Sequence, residues 1–258
     1  MPDARGVAAA VRMASLLQQT RATDLVLALL SGGGSALLTL PAPGLALEDV
    51  QSLTEELLRC GATINEINTL RKHCTQLGGG GLAQLAAPAQ IETLIISDVV
   101  GSPLDVIASG PTVPDPTTFA DAWQIIARFD LEKHLSSTVL RHLTRGLENR
   151  IPETPKSTAK VWERVHNSVL GSNLTAINAA LAAARERGVE ASILTTSLEG
   201  EARAVGRAMA EMARSAAGRN GSQAFDAAHR RRRNHCELAR AWSRRTQPRA
   251  CARSGRSA

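Results

Sequence analysis

Aromatic residues are scarce in this chain of 258 residues, which has three Phe, three Trp and no Tyr. Proteins that hold single-stranded nucleic acid stack its bases on aromatic side chains, so that class is disfavoured. The four cysteines form no C-x-x-C pair, which favours isolated thiols in a reducing compartment over a metal site. No uninterrupted apolar run is long enough to span a bilayer, and no signal peptide opens the chain. We therefore expect a cytoplasmic globular protein with no membrane partner.

Positive charge is concentrated at one end of the chain. Residues 230–258 hold ten Arg and one Glu, a balance of +9, so the formal net charge of +6 leaves −3 for the rest. A basic tail is typical of proteins that bind nucleic acid or membrane surfaces. The body is mildly acidic and offers no matching surface, so specific nucleic-acid binding is not expected. Residues 219–258 show no apolar period and are predicted to form a disordered, Arg-rich tail.

Short apolar runs alternate with helical patterns over residues 1–218. Four runs read as strands, at residues 24–31, 91–97, 165–170 and 189–196. Strands that alternate with helices predict an α/β fold with a mostly parallel sheet flanked by helices, which is a Rossmann-like arrangement. The first run is expected to be buried on both faces, as strands of parallel sheets usually are.

The stretch from Asp24 to Leu38 carries the strongest functional signal. Its apolar run ends at Ser31, Gly32, Gly33, Gly34 and Ser35. Glycine lets backbone come close to a ligand, and the free N–H groups that open a helix favour an anion. Ligands of open α/β sheets bind at the carboxyl ends of strands. This stretch therefore predicts one wall of a site for an anionic small molecule.

A second helix, predicted at residues 63–77, has two distinct faces. The apolar face at spacings of three and four is formed by Ile67, Leu70, Cys74 and Leu77. The polar face at the same spacing is formed by Asn68, Arg71, Lys72 and Thr75. A solvated face is the commoner meaning of such a polar stripe, and a binding face is the alternative.

The glycine-rich loops lack the known phosphate motifs. The segment from Gly78 to Ala83 formally matches a dinucleotide fingerprint, but that motif must follow a strand and this segment follows a helix. Neither glycine loop contains the Gly-Lys-Ser/Thr of a P-loop. Asp98 stands just past the second strand, at the start of a loop that is long enough to be functional. Asp98 could bind Mg²⁺ or accept a proton, or it could cap amides of its own loop.

Several long motifs occur in order along the chain. They are LSGGGSALL (30–38), GATINEINTLRKH (61–73), SDVVGSPLDVIASGPTVPD (97–115), GSN (171–173) and LEGEAR (198–203). Through them the chain resembles the glycerate 2-kinase family with a MOFRL domain, also labelled hydroxypyruvate reductase. The resemblance implies ATP-dependent phosphorylation of D-glycerate to 2-phosphoglycerate, with Mg²⁺. It also implies two α/β domains with the active site in the cleft between them.

The resemblance also suggests roles for individual residues. Arg71 and Asp98 are expected to be catalytic, and Asp98 is also the expected metal ligand. The expected substrate contacts are Ser31, Gly32, Gly33, Gly34, Ser35 and Asn68. The expected ATP contacts are Gly78, Gly79, Gly80, Ser109, Gly110 and Thr112.

The chain departs from the family at three positions and at both ends. Family members usually have Lys at Gly78, Arg at Gly81 and Asp at Ser102, and the lost charges should slow the reaction. The family's earlier segment and its MOFRL domain are also missing, so we expect a truncated chain of weak or no activity. Residues from about 219 are hypothesised to be a frameshifted reading of the gene. The alternatives are an NAD(P)H-dependent hydroxypyruvate reductase and an inactive fragment with a non-specific basic tail, and a homo-oligomer is left open.

Overall fold

A computed structural model of the protein describes residues 1–198 and 200–219. The chain divides into two compact units, residues 1–197 and 198–258. The first unit contains three strands, β1 (Leu25–Leu30), β2 (Gln90–Ile96) and β3 (Val165–Gly171). Its helices are α1 (Ala4–Leu17), α2 (Gly34–Leu37), α3 (Leu47–Arg59), α4 (Ile64–Cys74), α5 (Gly81–Ala86), α6 (Phe119–Arg128), α7 (Ser137–Leu147) and α8 (Asn173–Glu186). In the second unit the structure describes helix α9 (Ala202–Arg219). The predictions of a disordered tail and of a frameshift concern residues that lie outside the described part.

The three strands form a parallel sheet in the order β1-β2-β3. Helices α2 to α5 connect β1 to β2, and α6 and α7 connect β2 to β3. The predicted α/β class and the parallel sheet are therefore confirmed. In the described residues, no helix is both long enough and apolar enough to cross a bilayer.

The prediction that β1 is buried on both faces is wrong for one face. Ala28 points into a core shared with α1 and α5, but Leu25, Leu27 and Leu29 are 62%, 57% and 72% exposed. Successive side chains of a strand point to opposite faces, so these three leucines share the open face of the sheet. The apolar run correctly predicted a strand. It could not predict which faces of that strand are covered by other parts of the protein.

The predicted fourth strand at residues 189–196 is also wrong. The structure has irregular backbone there, and Val189, Ile193 and Leu194 are exposed. β-Propensity largely measures how well a side chain packs against neighbouring strands. Residues 189–196 pair with none of the described strands, so their apolar pattern does not produce a strand.

A second core lies between helices α3, α4, α6 and α7. Helix α4 contributes Ile67, Leu70 and Cys74, which are members of the predicted apolar face. Its start is fixed by a capping box in which Thr63 and Glu66 satisfy each other's backbone N–H groups. Helix α4 is thus anchored in this core by its apolar face, while Asn68 and Lys72 of its other face are also buried.

Helix α7 packs unusually close to this core at Gly146. A Cβ at this position would lie 2.2 Å from the Phe119 ring. At an exposed helix position, Gly→Ala raises the free energy of unfolding by about 1 kcal/mol. In a packed core, an added carbon that clashes lowers the free energy of unfolding by about 1–3 kcal/mol. We expect Gly146→Ala to lower the free energy of unfolding, measured with urea. The control is Gly206→Ala in α9, where a Cβ would meet nothing within 4 Å. This variant should not lower the free energy of unfolding. A Gly146→Ala protein as stable as the parent would contradict the tight packing on Phe119.

Candidate functional site

The glycine turn after β1 is open to solvent at its tip. Ser31, Gly32 and Gly33 are exposed, and Gly33 adopts a left-handed conformation with φ of 85° before α2 begins. Residues other than glycine rarely adopt this φ, so the glycine permits the sharp change of direction. The turn is exposed at the carboxyl end of the strand.

Asp98 lies directly against this turn. A Cβ at Gly32 would be 2.1 Å from Asp98 Oδ2, so no other residue fits at Gly32 without movement. β1 and β2 are neighbouring parallel strands, and their carboxyl ends meet at one edge of the sheet. Asp98 is exposed there, and in the described part of the chain its carboxylate accepts no hydrogen bond. Its capacity for a cation or a proton is therefore free.

The loop after Asp98 presents Ser109 through a strained backbone. Ala108 and Ser109 have φ values of 50° and 62°, in the left-handed region that side chains disfavour. Such strain persists only where the surroundings impose it, and it is concentrated at functional sites. Here Gly79 N–H donates to the Ser109 carbonyl at 2.8 Å and Gly80 N–H donates to the Gly110 carbonyl at 2.7 Å. The glycine loop thus holds the strained segment in place.

Ser109 connects the glycine turn to helix α4. Its hydroxyl lies 3.0 Å from Ser35 Oγ and 3.3 Å from Asn68 Oδ1. One hydroxyl proton can serve only one of these acceptors at a time. Residues from the turn, from α4 and from the strained loop therefore meet around one small pocket, which Arg71, Thr75 and Gly78 also line.

Arg71 is the chemically unsatisfied member of this pocket. Its Nε is buried and has no hydrogen-bond partner. Burial lowers the pKa of the guanidinium, since the charged form has lost part of its hydration. A buried N–H donor without a partner is costly, and an acceptor oxygen that reached Nε would remove that cost. The pocket, which we call the Arg71 pocket, therefore has the chemistry of a carboxylate or phosphate site.

Lys72, the neighbouring cation, is not available to a ligand. Its side chain is 4% exposed, and its Nζ lies 3.2 Å from Asp115 Oδ1 and 3.6 Å from Asp105 Oδ2. Burial opposes ionisation of Asp115, but the charge of Lys72 and the Thr117 N–H outweigh it and lower the pKa of Asp115. The solvated-face interpretation of this stripe is thus wrong, because Asn68 and Lys72 are both buried.

The expected nucleotide contacts fall into two groups. Gly78 and Ser109 line the Arg71 pocket. Thr112 is buried and donates its hydroxyl to Asn167 Oδ1 at 2.7 Å, which ties the loop to β3. Gly79, Gly80 and Gly110 take part in the loop-to-loop hydrogen bonds described above. The second group shapes the loop, and its polar groups already have partners within the protein.

A larger cleft lies on the other side of the α4 carboxyl end. Its volume is about 350 Å³, and it shares Thr75 and Gly78 with the Arg71 pocket. Its floor contains His73, whose Nδ1 donates to the Thr69 carbonyl at 2.8 Å and whose Nε2 lies 3.2 Å from Glu153 Oε2. Sequence reasoning missed this cleft. The sequence signal for this cleft was His73, which directly follows Arg71 and Lys72. The partner of His73, Glu153, is 80 residues further along the chain, so the sequence does not show the pair.

Glu153 forms a pair with His73, in which the His73 side chain is buried and the Glu153 side chain is 32% exposed. Burial opposes ionisation of Glu153, but hydrogen bonds from His73 and from the Phe119 N–H outweigh it and lower the pKa to about 2. Glu153 is therefore ionised at neutral pH. The Thr69 carbonyl and the carboxylate are both acceptors, so the two nitrogens of His73 each lie against an oxygen that accepts hydrogen bonds. The His73–Glu153 pair thus supports one wall of the cleft.

This pair predicts a defined pH dependence of stability. The pKa of Glu153 is lowered from 4.5 to about 2, so its contribution is complete above pH 4.5 and is lost as the pH falls toward 2. At pH 7 we expect Glu153→Gln to lower the free energy of unfolding by on the order of 2 kcal/mol. The difference should shrink on going to pH 3, as measured by urea unfolding. Glu148→Gln, at an exposed ion pair with Arg150, should change stability little at either pH. A pH-independent difference for Glu153→Gln would contradict the assigned pair.

The fold is that of an α/β protein, with an exposed glycine turn and a pocket lined by Arg71 after its first strand. Residues 1–144 match the family described as a domain of unknown function, DUF4147. The chain belongs to this family.

Several relatives of this chain are named as glycerate kinases. The chain is 44% identical to a glycerate 2-kinase of Pyrococcus horikoshii over 206 residues, which are 80% of this chain and 46% of that protein. It is 41% identical to a crystallised glycerate kinase of Thermotoga maritima, with a TM-score of 0.69 over 82% of this chain and 48% of that one. A relative from Agrobacterium vitis, 44% identical over 84% of this chain and 47% of its own length, is named as a hydroxypyruvate reductase. The resemblance is confirmed, and the chain spans about half the length of the curated relatives it matches.

Proposed function

We propose that the protein phosphorylates D-glycerate at its 2-hydroxyl, with ATP as the donor. The observation that best supports this proposal is the state of Arg71. Its buried Nε has no hydrogen-bond partner, and its side chain lines a pocket that Ser35 of the glycine turn also lines. A small carboxylate supplies the missing anion, and the relatives named glycerate kinase support glycerate as that acid. The same proposal includes a cytoplasmic location and residues 1–218 as the α/β domain of the enzyme.

Each residue of the site has a role in this proposal. The guanidinium of Arg71 holds the carboxylate, and Asn68, Ser35 and Ser109 supply polar groups that fix its orientation. The glycine turn then lies next to the 2-hydroxyl, and its exposed backbone lets the transferred phosphoryl group approach closely. Phosphoryl transfer depends on positioning and on charge neutralisation more than on covalent chemistry.

In this proposal Asp98 either accepts the proton of the 2-hydroxyl or binds Mg²⁺. Its carboxylate is exposed beside Gly32 and accepts no hydrogen bond within the described residues. Mg²⁺ is usually held by one or two carboxylates together with substrate phosphates, so a single free carboxylate fits this ion. When bound, the ion neutralises charge on the phosphates. In the described residues no three His, Cys, Asp or Glu side chains converge on one point, so the remaining ligands would come from the nucleotide and water.

The reductase alternative has less support. A dinucleotide fingerprint must connect a strand to a helix, whereas the Gly78–Ala83 segment connects α4 to α5. Its Gly79 and Gly80 N–H groups donate to carbonyls of the neighbouring loop. The backbone groups that would cradle a pyrophosphate are therefore occupied.

A coupled assay of ADP release tests the proposal. The full chain is incubated with ATP, Mg²⁺ and D-glycerate, and the control omits glycerate. We expect glycerate-dependent ADP release, with 2-phosphoglycerate as the product. Oxidation of NADH by hydroxypyruvate without any ADP release would overturn the proposal in favour of a reductase. If neither reaction occurs and D-glycerate does not raise the melting temperature, the proposal is also overturned.

A further inference from the structure

One cation holds the loop that carries Ser109 from both sides. Lys72 Nζ lies 3.6 Å from Asp105 Oδ2, before Ser109 in the chain, and 3.2 Å from Asp115 Oδ1, after it. The Lys72 side chain is 4% exposed and that of Asp115 is fully buried, whereas that of Asp105 is 36% exposed. Asp115 alone can therefore neutralise the buried ammonium. The pair with Asp105 is a second tie that the burial of this charge does not require.

The segment from Asp105 to Gly110 is packed tightly on itself and on the glycine turn. A Cβ at Gly110 would lie 2.9 Å from Asp105 Cα and 3.0 Å from the Asp105 carbonyl oxygen, so the two ends of the segment touch. A Cβ at Gly34 would lie 2.6 Å from Ala108 Cβ, so the middle of the segment rests on the start of α2. Closely packed groups do not move independently, and a displacement of Asp105 would therefore displace Ser109 as well.

The strain in this segment requires a hold from outside it. Ala108 and Ser109 keep left-handed φ values of 50° and 62°, and such a backbone relaxes unless its surroundings fix it. Two hydrogen bonds from the glycine loop hold the carboxyl end of the segment, and the pair with Lys72 ties its amino end to α4. Without that pair the segment can relax. The Ser109 hydroxyl would then lose its positions against the glycine turn and against α4.

We propose that Asp105 is a positioning residue of the Arg71 pocket, and that it acts by tying the segment of Ser109 to Lys72. This inference rests on the proposed function, in which Ser109 orients the carboxylate of D-glycerate. Asp105 does not line the Arg71 pocket, so it influences the acid only through Ser109. Lys72, although it is unavailable to a ligand, thereby affects how the acid is bound.

Asp105→Asn tests the assignment, because it removes the ion pair and keeps the size of the side chain and the Lys72–Asp115 pair. We expect the dissociation constant of D-glycerate, measured by calorimetry on the full chain, to rise about tenfold or more, since misplacing a positioned group weakens its contribution. The melting temperature without ligand should stay within about 3 °C of the parent, because a partly exposed ion pair contributes little to stability. Asp105→Glu keeps the carboxylate and should recover most of the affinity. The matched control is Asp130→Asn, at an exposed ion pair with Lys133, and it should change neither quantity.

Hydrogen exchange reports the position of the segment without any ligand. The amides of Gly79 and Gly80, which donate to carbonyls of the segment, should exchange about tenfold faster or more in Asp105→Asn. In Asp105→Glu they should exchange as in the parent. The control amide is the Ala62 N–H, which donates to the Leu57 carbonyl at 3.0 Å and should not change in either variant.

The two measurements separate a positioning role from a structural one. Faster exchange together with weaker D-glycerate binding in Asp105→Asn, both reversed in Asp105→Glu, would support the positioning role. A lower melting temperature with unchanged D-glycerate affinity would show a structural role and overturn the proposal. Parent-like exchange at Gly79 and Gly80 would also overturn it. If the parent chain binds no D-glycerate, the proposed function fails, and the exchange rates still decide whether Asp105 holds the segment.

Discussion

Replacing Arg71 with methionine is expected to lower kcat/KM for D-glycerate by about 10²–10³-fold, the cost of removing one buried donor that binds a developing or fixed anion. The Nε of Arg71 is buried and has no partner, and in the proposed function the carboxylate of D-glycerate is that partner. The measurements are ADP release and the glycerate-dependent rise in melting temperature. Both effects should disappear together.

The unliganded Arg71→Met protein should melt no lower than the parent. Arg71 is partly buried and its Nε has no partner, so replacing it with methionine of similar volume removes an unsatisfied donor and a partly desolvated charge. A structural arginine would behave in the opposite way, with a clear loss of stability on replacement. Melting without ligand therefore separates a binding role from a structural one.

Two variants complete the test of Arg71. Arg71→Lys keeps the positive charge but loses the planar fork that binds a carboxylate through two nitrogens, so it should recover only part of the activity. Arg59→Met replaces an exposed arginine of α3 that is paired with Glu56, and it should change neither activity nor the glycerate effect. A normal glycerate effect in Arg71→Met would contradict the role of the Arg71 pocket.

Replacing Gly78 with lysine, the residue that the family usually has there, is expected to raise activity by about 10²-fold. A Cβ at Gly78 would have Thr75 Oγ1 at 3.3 Å, with the next contacts at 3.5 Å and 3.6 Å, and φ is not in the left-handed region. The position therefore accepts a Cβ with a shift of a few tenths of an ångström at the Thr75 hydroxyl. The new ammonium would lie where the Arg71 pocket meets the cleft, beside the site of the proposed phosphoryl transfer.

The same reasoning predicts the opposite outcome at Gly81. A Cβ at this position would lie 2.0 Å from the Gln76 carbonyl oxygen, so an arginine requires the backbone to move. We expect Gly81→Arg to lower the free energy of unfolding by about 1–3 kcal/mol and to restore little activity. Gly78→Ala is the control that separates the charge from backbone stiffening. If Gly78→Lys is no more active than Gly78→Ala, the absence of a cation at this position does not limit the proposed reaction.

Much of the fold could be predicted from local patterns. The capping box at Thr63 and Glu66, the apolar face of α4 and the three confirmed strands all depend on residues that are close in sequence. The fate of the polar face of α4 could not be predicted in this way. Lys72 pairs with Asp115, which is 43 residues away, whereas Arg71, its direct neighbour, is left without a partner for Nε. Residue type and helical position are nearly the same for both cations, and only the surroundings distinguish them.

The sequence by itself determined a glycine turn at the end of an apolar strand, an aspartate after the next strand and a helix with one polar face. These features follow from turn chemistry and periodicity, which act over a few residues. The tertiary structure decided that the face of β1 bearing Leu25, Leu27 and Leu29 stays open, that Lys72 is neutralised, and that Ser109 reaches Ser35 across 74 positions of the chain. It also placed His73 on Glu153 beneath a second cleft. Burial and pairing depend on which distant segments meet, and that is a property of the packed chain rather than of any local pattern.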